Sequence, residues 1–413
     1  MLFGLSLFAL CTLAQSLPSK SHAVRQADDG TTQSTAIVDA ANTLLGLLTA
    51  EQNASLVYPY EAAGNATPIY FGSSTTGPIA GEKFGQSVWT NYPVGIVDRV
   101  GLARDNFTDT QEEAVLNLLR VMFSEHGYTK VQEIMNADQV EEERGVDYEA
   151  GLGSYTLGFF GKPSLTSLWM IQFGGHHLEI NMAMYGSKAV IAPLFTGCLP
   201  AINNVTKRVL AAENDMAFSL VGSLDDSLFA QANITHDVST LTVGPGHDGE
   251  EDITEGVNVS LFTEAQQALA VDLVSEWAGL LNPIHYAPRL AEIKAGLNET
   301  YFAWSGPTTK EENQNGKSYF RIKGPNLWVE YAPQTSDKYG DLRLHAHTIY
   351  RDQLRGYGWH IRRISYCLQD HQCVHGLTGH SRRKNNFILK FINFKIQFKF
   401  NTLLNIIHIY VLD

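Results

Sequence analysis

Two short stretches hold the residues best suited to chemistry. In 169–186, WMIQFGGHHLEINMAMYG, the adjacent His176 and His177 follow two glycines and precede Glu179 and Asn181. In 342–352, LRLHAHTIYRD, His345 and His347 stand two apart, with Arg343 before them and Arg351 after. Glu330 lies upstream of the second stretch, in LWVEYAP. A His-x-His pair on a strand sets two imidazoles on one face, about 7 Å apart at Cα, a spacing that suits two ligands of one ion. One histidine of the first pair, both of the second and Glu330 make a set for zinc, copper, iron or manganese, with a position left for water or substrate. In this reading the metal candidates are His176, His177, His345 and His347, with His177, His345 and His347 preferred as ligands. Glu330 is the fourth ligand or a general base, and Arg351 contacts an anionic substrate. Two rivals stand beside it. Arg343 and Arg351 could clamp an anion with the histidines as acid/base groups, or the whole set could be a polar strand face that satisfies itself.

These residues can meet only if their strands share a sheet. YTLGFFG, LTSLWMIQFGGHHLEINMAMYG, SKAVIAPLFTG, TYFAWSG, SYFRIKGPNLWVEYAP and LRLHAHTIYR are rich in aromatic and β-branched residues and are cut by glycines, as strands are. Strand alternation places His177, Glu179 and Asn181 on one face, and His176, Leu178, Ile180, Met182 and Met184 on the other. In the last strand it puts Arg343, His345, His347 and Arg351 together. Helical spacing predicts helices over 35–52, from a Thr110/Glu113 capping box to Gly127, and over about 129–143, 205–218, 263–281 and 288–297. Thr263 caps one of these, and Asn282-Pro283 stops it. Blocks of helices between runs of strands predict an α+β fold, a helical layer packed on a mostly antiparallel sheet. There is no internal repeat, no Gly-rich phosphate loop before a helix and no Gly-x-Ser-x-Gly elbow.

The formal charge of -13 and pI near 5.5 argue against nucleic acid and against an anionic membrane surface as partners. A small-molecule ligand or substrate is the expected partner. The apolar run Leu2–Leu13 is too short to span a bilayer but fits the core of a signal peptide, with cleavage expected after Ser16. Asn53, Asn65, Asn106, Asn204, Asn233, Asn258 and Asn298 each open an Asn-x-Ser/Thr glycosylation triplet, which independently predicts a secreted, extracellular glycoprotein with no stable membrane span. Past the leader the cysteines are Cys198, Cys367 and Cys373, too few for a disulfide framework. The segment 359–413 reads as an atypical tail. From Ser381 it has no Gly, Pro or Ala and is rich in Lys, Asn, Ile and Phe, a composition that A/T-rich unspliced sequence produces. An amphipathic membrane-surface tail is the rival reading. CLQDHQCVHGLTGH at its start offers zinc-binding side chains at a spacing that matches no standard zinc finger.

QFGGHHLEIN followed by APLFTGCLPA resembles the Gly-His-His-Leu-Ser/Glu-x-Asn and Phe-x-Gly-x-x-Pro-Ala elements of the secreted domain-of-unknown-function family 3500 of bacteria and fungi. RVGLARDNFTDTQ, YFAWSG, FRIKGPNLWVEYAPQ and HAHTIYRD fall in that family's order, so the resemblance covers about 36–358, taken as a single α+β domain. It implies that His176, His177, Glu330, His345, His347, Arg351 and Asp352 match the polar positions of the family's motifs. It implies no reaction. After Asp352 the family pattern resembles Pro-x-x-Asp-Tyr-Gly, whereas this chain has Gln353-Leu354-Arg355-Gly356-Tyr357-Gly358, without the acidic residue. The expectation from residues and resemblance together is a secreted metalloprotein, first a metal-dependent hydrolase of a small, anionic substrate. The alternatives are an oxidoreductase of a small molecule and a non-catalytic extracellular ligand-binding protein.

Overall fold

Helices α1 (Thr31–Leu47) and α2 (Ala50–Leu56) are the first described elements, joined at Thr49, whose side chain and that of Gln52 form a reciprocal capping box. The computed structural model describes residues 30–60, 68–70, 78–82, 88–94, 96, 99–248, 253, 255–335 and 340–361. The expected leader 1–16, Asn65, Cys367, Cys373 and the expected tail from 362 onward lie outside the described residues. Strand β1 (Val57–Tyr58), the ribbon β2 (Pro68–Tyr70) with β3 (Pro78–Glu82), and β4 (Leu102–Ala103) come next. Helices α3 (Asp109–Met122) and α4 (Glu125–Glu143) follow.

The expected Thr110/Glu113 box is not the one used. Thr108 and Gln111 cap α3 instead, because the Gln111 side chain is buried and also donates to the Leu47 carbonyl at 2.9 Å. Nor does Gly127 end a helix. It sits in the first turn of α4, where a Cβ would stand 2.4 Å from the Leu280 carbonyl oxygen.

A run of hairpins then forms from β5 (Thr156–Phe160), β6 (Trp169–Gly175), β7 (Leu178–Tyr185) and β8 (Lys188–Cys198). After the small ribbon β9 (Ile202–Asn203) and β10 (Lys207–Arg208) come helices α5 (Ala211–Gly222) and α6 (Asp226–Ala232). Strand β11 (Val257–Asn258) precedes α7 (Glu264–Ala278) and α8 (Pro283–Ala295). Asn282-Pro283 starts α8, with Asn282 as its N-cap and proline at the first helical position, where a missing N–H costs nothing. A second meander, β12 (Tyr301–Ser305), β13 (Tyr319–Gly324) and β14 (Leu327–Pro333), leads to β15 (Ala346–Arg351).

One eleven-stranded sheet orders these strands β1-β5-β6-β7-β8-β15-β14-β13-β12-β11, with β4 alongside β5. All pairs are antiparallel except β1 with β5. The fold is α+β, as expected. The last strand among the described residues, β15, slots between β8 and β14 and so joins the two meanders.

The two faces of the sheet are covered differently. One packs on helices: Trp277 of α7 donates to Thr348 at 2.7 Å, and Arg289 of α8 donates to the Tyr350 hydroxyl at 2.8 Å. Within that helical layer Lys130 of α4 is buried between Glu213 of α5 and Glu276 of α7, at 2.6 and 2.7 Å, so each charge has a partner. The other face carries Glu179, Phe195, Gly197, Glu330, His347 and Arg351, which registers across β7, β8, β15 and β14 set on one side. Irregular segments around 88–92 and 241–248 cover it, with Trp89 against Phe195 at a ring distance of 6.4 Å. Among the described residues no helix is long and apolar enough to cross a membrane.

Candidate metal centre

His176 and His177 are not strand residues. Gly175 of β6 pairs with Leu178 of β7, so the two histidines are the whole of a two-residue turn. His177 has a left-handed backbone (φ 62), which histidine visits more readily than most residues but still at a cost. Two backbone bonds hold it there: its N–H donates to the Asn91 carbonyl at 3.2 Å, and its carbonyl accepts from Gly197 N–H at 2.7 Å. The pair is not divided between the two faces of a strand, as alternation predicted, because neither residue is in one; only the hydrogen-bonding partners of the two rings differ. His176 turns to α4, where its Nδ1 lies 2.7 Å from Asp138, while its ring stacks on His177 at 3.8 Å.

His177 and the His345/His347 pair meet across β8. Strand β8 runs between β7 and β15, and Gly197 is the residue opposite His347. A Cβ at Gly197 would stand 3.0 Å from His177 Cδ2 and 2.9 Å from the Ala346 carbonyl oxygen, so the missing side chain is what lets the rings close over the strand. His345 precedes β15 with an extended backbone and shares a side with His347. The Nε2 atom of His345 lies 2.9 Å from that of His177 and 3.0 Å from that of His347. One ring nitrogen from each of the three lies within 4.8 Å of the others.

Protons can fully satisfy only one of these two contacts. His345 Nδ1 faces the Thr335 carbonyl oxygen at 3.2 Å and must carry a hydrogen to bond it. In the neutral ring, Nε2 then has one in-plane lone pair facing two other ring nitrogens. Burial, and then the neighbouring imidazoles, hold His177 and His347 well below the usual histidine range. Burial and His176 push His345 down to about 4, against the bond to Thr335. All three rings are therefore neutral at pH 7, the form that binds a cation. Nitrogen ligands of a tetrahedral ion with bonds of about 2.0–2.1 Å stand roughly 3.3 Å apart, so the two separations at His345 fall short of that edge by about a few tenths of an ångström, and the His177–His347 side lies within 4.8 Å. The residues fit a first-row divalent metal.

The other expected site residues lie elsewhere. Glu330 is fully buried on the same sheet face, but its carboxylate accepts from Thr242 N–H (2.9 Å), Val243 N–H (3.0 Å) and the Tyr319 hydroxyl (2.6 Å). It clamps the covering segment and does not converge with the histidines. Arg351 does the same work from β15: Nε donates to the Val243 carbonyl at 2.8 Å, Nη2 to the Gly244 carbonyl at 2.7 Å, and Nη1 pairs with Asp248. With its nitrogens engaged in this way, it is a fastener and not an anion contact. His176 faces Asp138, as described, and is not among the converging ligands. Arg343 is not in a strand at all. It lies in a 3-10 turn, Leu342–Leu344, paired with Asp341 and Glu311.

One residue beside the centre gave no signal in the sequence. Asn91 is buried, with its side-chain nitrogen 3.5 Å from His347 Nε2. It comes from an irregular segment, without periodicity or motif, and only the tertiary structure brings it in. Of the glycosylation triplets, Asn106, Asn204, Asn233 and Asn298 are exposed. Asn53 and Asn258 are half-buried and donate their amides to backbone carbonyls, Asn258 to that of Asn298 at 3.0 Å. Cys198, the one cysteine among the described residues, is buried and unpaired.

No curated protein and no solved structure matches the chain. The family profile of DUF3500, described as a protein of unknown function, matches residues 80–359. That span takes in the turn histidines, Gly197, the covering segments, Glu330 and the His345/His347 pair. On a match over more than half of its length, the chain belongs to the DUF3500 family.

Proposed function

We propose that the protein is a secreted metalloprotein whose centre is His177, His345 and His347, and that it acts as a metal-dependent hydrolase of a small molecule. The observation that carries this reading is the meeting of three neutral ring nitrogens, one already fixed as an acceptor by its bond to Thr335. Three nitrogen donors without a carboxylate favour zinc or copper over manganese or magnesium. Such an ion would supply Lewis acidity and bring the pKa of a water molecule toward neutrality. The chain's own residues contribute placement. The turn and Gly197 set His177 over β8, Thr335 fixes the tautomer of His345, and Glu330 with Arg351 hold the 241–248 segment on the same sheet face. The substrate need not be anionic on this account, because Arg351 is occupied. Exposed Asn106, Asn204, Asn233 and Asn298 are where glycans fit if the chain enters the secretory route.

The test is hydrolysis of a panel of chromogenic ester, amide and phosphoester substrates by purified protein. Activity should vanish on chelation, return with zinc and be absent in His347→Ala. Turnover that survives both treatments, or none from metal-loaded protein, rules the hydrolase out.

A further inference from the structure

The segment 88–92 puts a fourth side chain against the three histidines. The Asn91 carbonyl accepts the His177 N–H at 3.2 Å, and its amide nitrogen lies 3.5 Å from His347 Nε2. This placement is enforced from several sides. Arg99 Nη2 donates to the carbonyls of Thr90 (3.0 Å), Tyr92 (2.5 Å) and Gly175 (2.9 Å), tying both neighbours of Asn91 to the residue before the histidine turn. Trp89 is buried and donates from its indole to the Tyr357 hydroxyl at 2.7 Å. The loop is thus fastened by backbone groups and flanking side chains, and the Asn91 carboxamide is left pointing at His347.

An amide can present either end. Its nitrogen suits a lone pair on His347, and rotation by half a turn presents the oxygen to a cation that has drawn that lone pair away. The separation of 3.5 Å is close to the roughly 3.3 Å edge of a tetrahedral site. We propose that Asn91 is the fourth protein donor of the centre, through its amide oxygen, which makes a three-histidine, one-amide site for a first-row divalent cation. This rests on the three-histidine reading above. A neutral amide oxygen is a weaker ligand than imidazole, so it is the one that substrate or water displaces, and the site stays open to chemistry.

Metal-free full-length protein is titrated with cobalt(II), recording the visible spectrum and the affinity against a competing chelator, for wild type, Asn91→Ala, Asn91→Asp and His347→Ala. Wild type should take one cobalt per chain. Asn91→Ala should bind about 10- to 100-fold more weakly with a changed visible band. Asn91→Asp, which keeps an oxygen donor, should bind at least as tightly as wild type. The bond from His177 to residue 91 uses backbone, so thermal unfolding of both Asn91 variants should stay near wild type. If Asn91→Ala matches wild type in spectrum and affinity while His347→Ala loses cobalt, Asn91 is not a ligand and the histidine centre stands. Weakened binding in Asn91→Ala that Asn91→Asp does not restore marks a packing role and overturns the proposal. No cobalt uptake by wild type overturns the histidine centre itself.

Discussion

His177 occupies a left-handed position that asparagine adopts with less strain, and it contributes a ring to the centre. The two roles separate by substitution. His177→Asn should stay within about 1 kcal/mol of wild type by thermal unfolding, since it keeps the turn, yet lose at least tenfold in metal affinity. Unchanged affinity would remove His177 from the ligand set. Glu179, two residues on, is buried with one carboxylate oxygen unpartnered, and burial raises its pKa to about 8 against the opposing charge of Arg99. The folded state therefore keeps a proton that the unfolded chain releases near pH 4.5, and stability falls as pH rises from there toward 8. Glu179→Gln should unfold at the wild-type temperature near pH 4.5 and at a clearly higher temperature at pH 8, a stabilisation of about a few kcal/mol. Equal melting curves at both pH values would show that the carboxylate is ionised in the fold. At this scale the sequence was only partly legible. The two-residue spacing of His345 and His347 on an extended backbone was readable, because strand geometry fixes what such spacing does. Most of the partners that occupy Glu330 and Arg351 were not, since apart from Tyr319 they are backbone groups and the Asp248 carboxylate of one irregular segment far away in the chain.

Gly197 shows how one residue of an intervening strand decides whether two others meet. It lies opposite His347, and its N–H bonds the His177 carbonyl, so the turn is both anchored and given room there. In Gly197→Ala the new methyl would press on His177 and on the Ala346 carbonyl. We expect a loss of about 1–3 kcal/mol in chemical unfolding, together with weaker metal binding, as the rings are pushed apart. Normal binding in a variant with that loss would separate the site from the strand. Element types were readable from periodicity and aromatic content, whereas boundaries went to tertiary contacts. Thr108 with Gln111 and Thr110 with Glu113 both fit a capping box, and burial of Gln111 against Leu47 chose the first. The histidine turn was hidden because two-residue hairpins are normally announced by Gly or Asn within the turn. Here the glycines precede it.

At the scale of the whole sheet, one face packs on the helical layer, and the opposite face sets buried polar residues among Phe195, Trp328 and Ile349 under irregular cover. That division explains why the expected polar strand face was real while its membership was wrong. Residues near β14 and the far end of β15 use their charges to hold the cover, and only the end near the β6–β7 turn gathers ligands. The account stands or falls on that end. Its most direct test is the metal content of the protein, measured by elemental analysis after purification and dialysis against zinc or copper, beside His345→Ala and His347→Ala. The structure predicts one ion per chain in the wild type and none retained by either variant, with both variants folded. Wild-type protein that retains no stoichiometric metal, or variants that retain it undiminished, would contradict the assignment of His177, His345 and His347 as its centre.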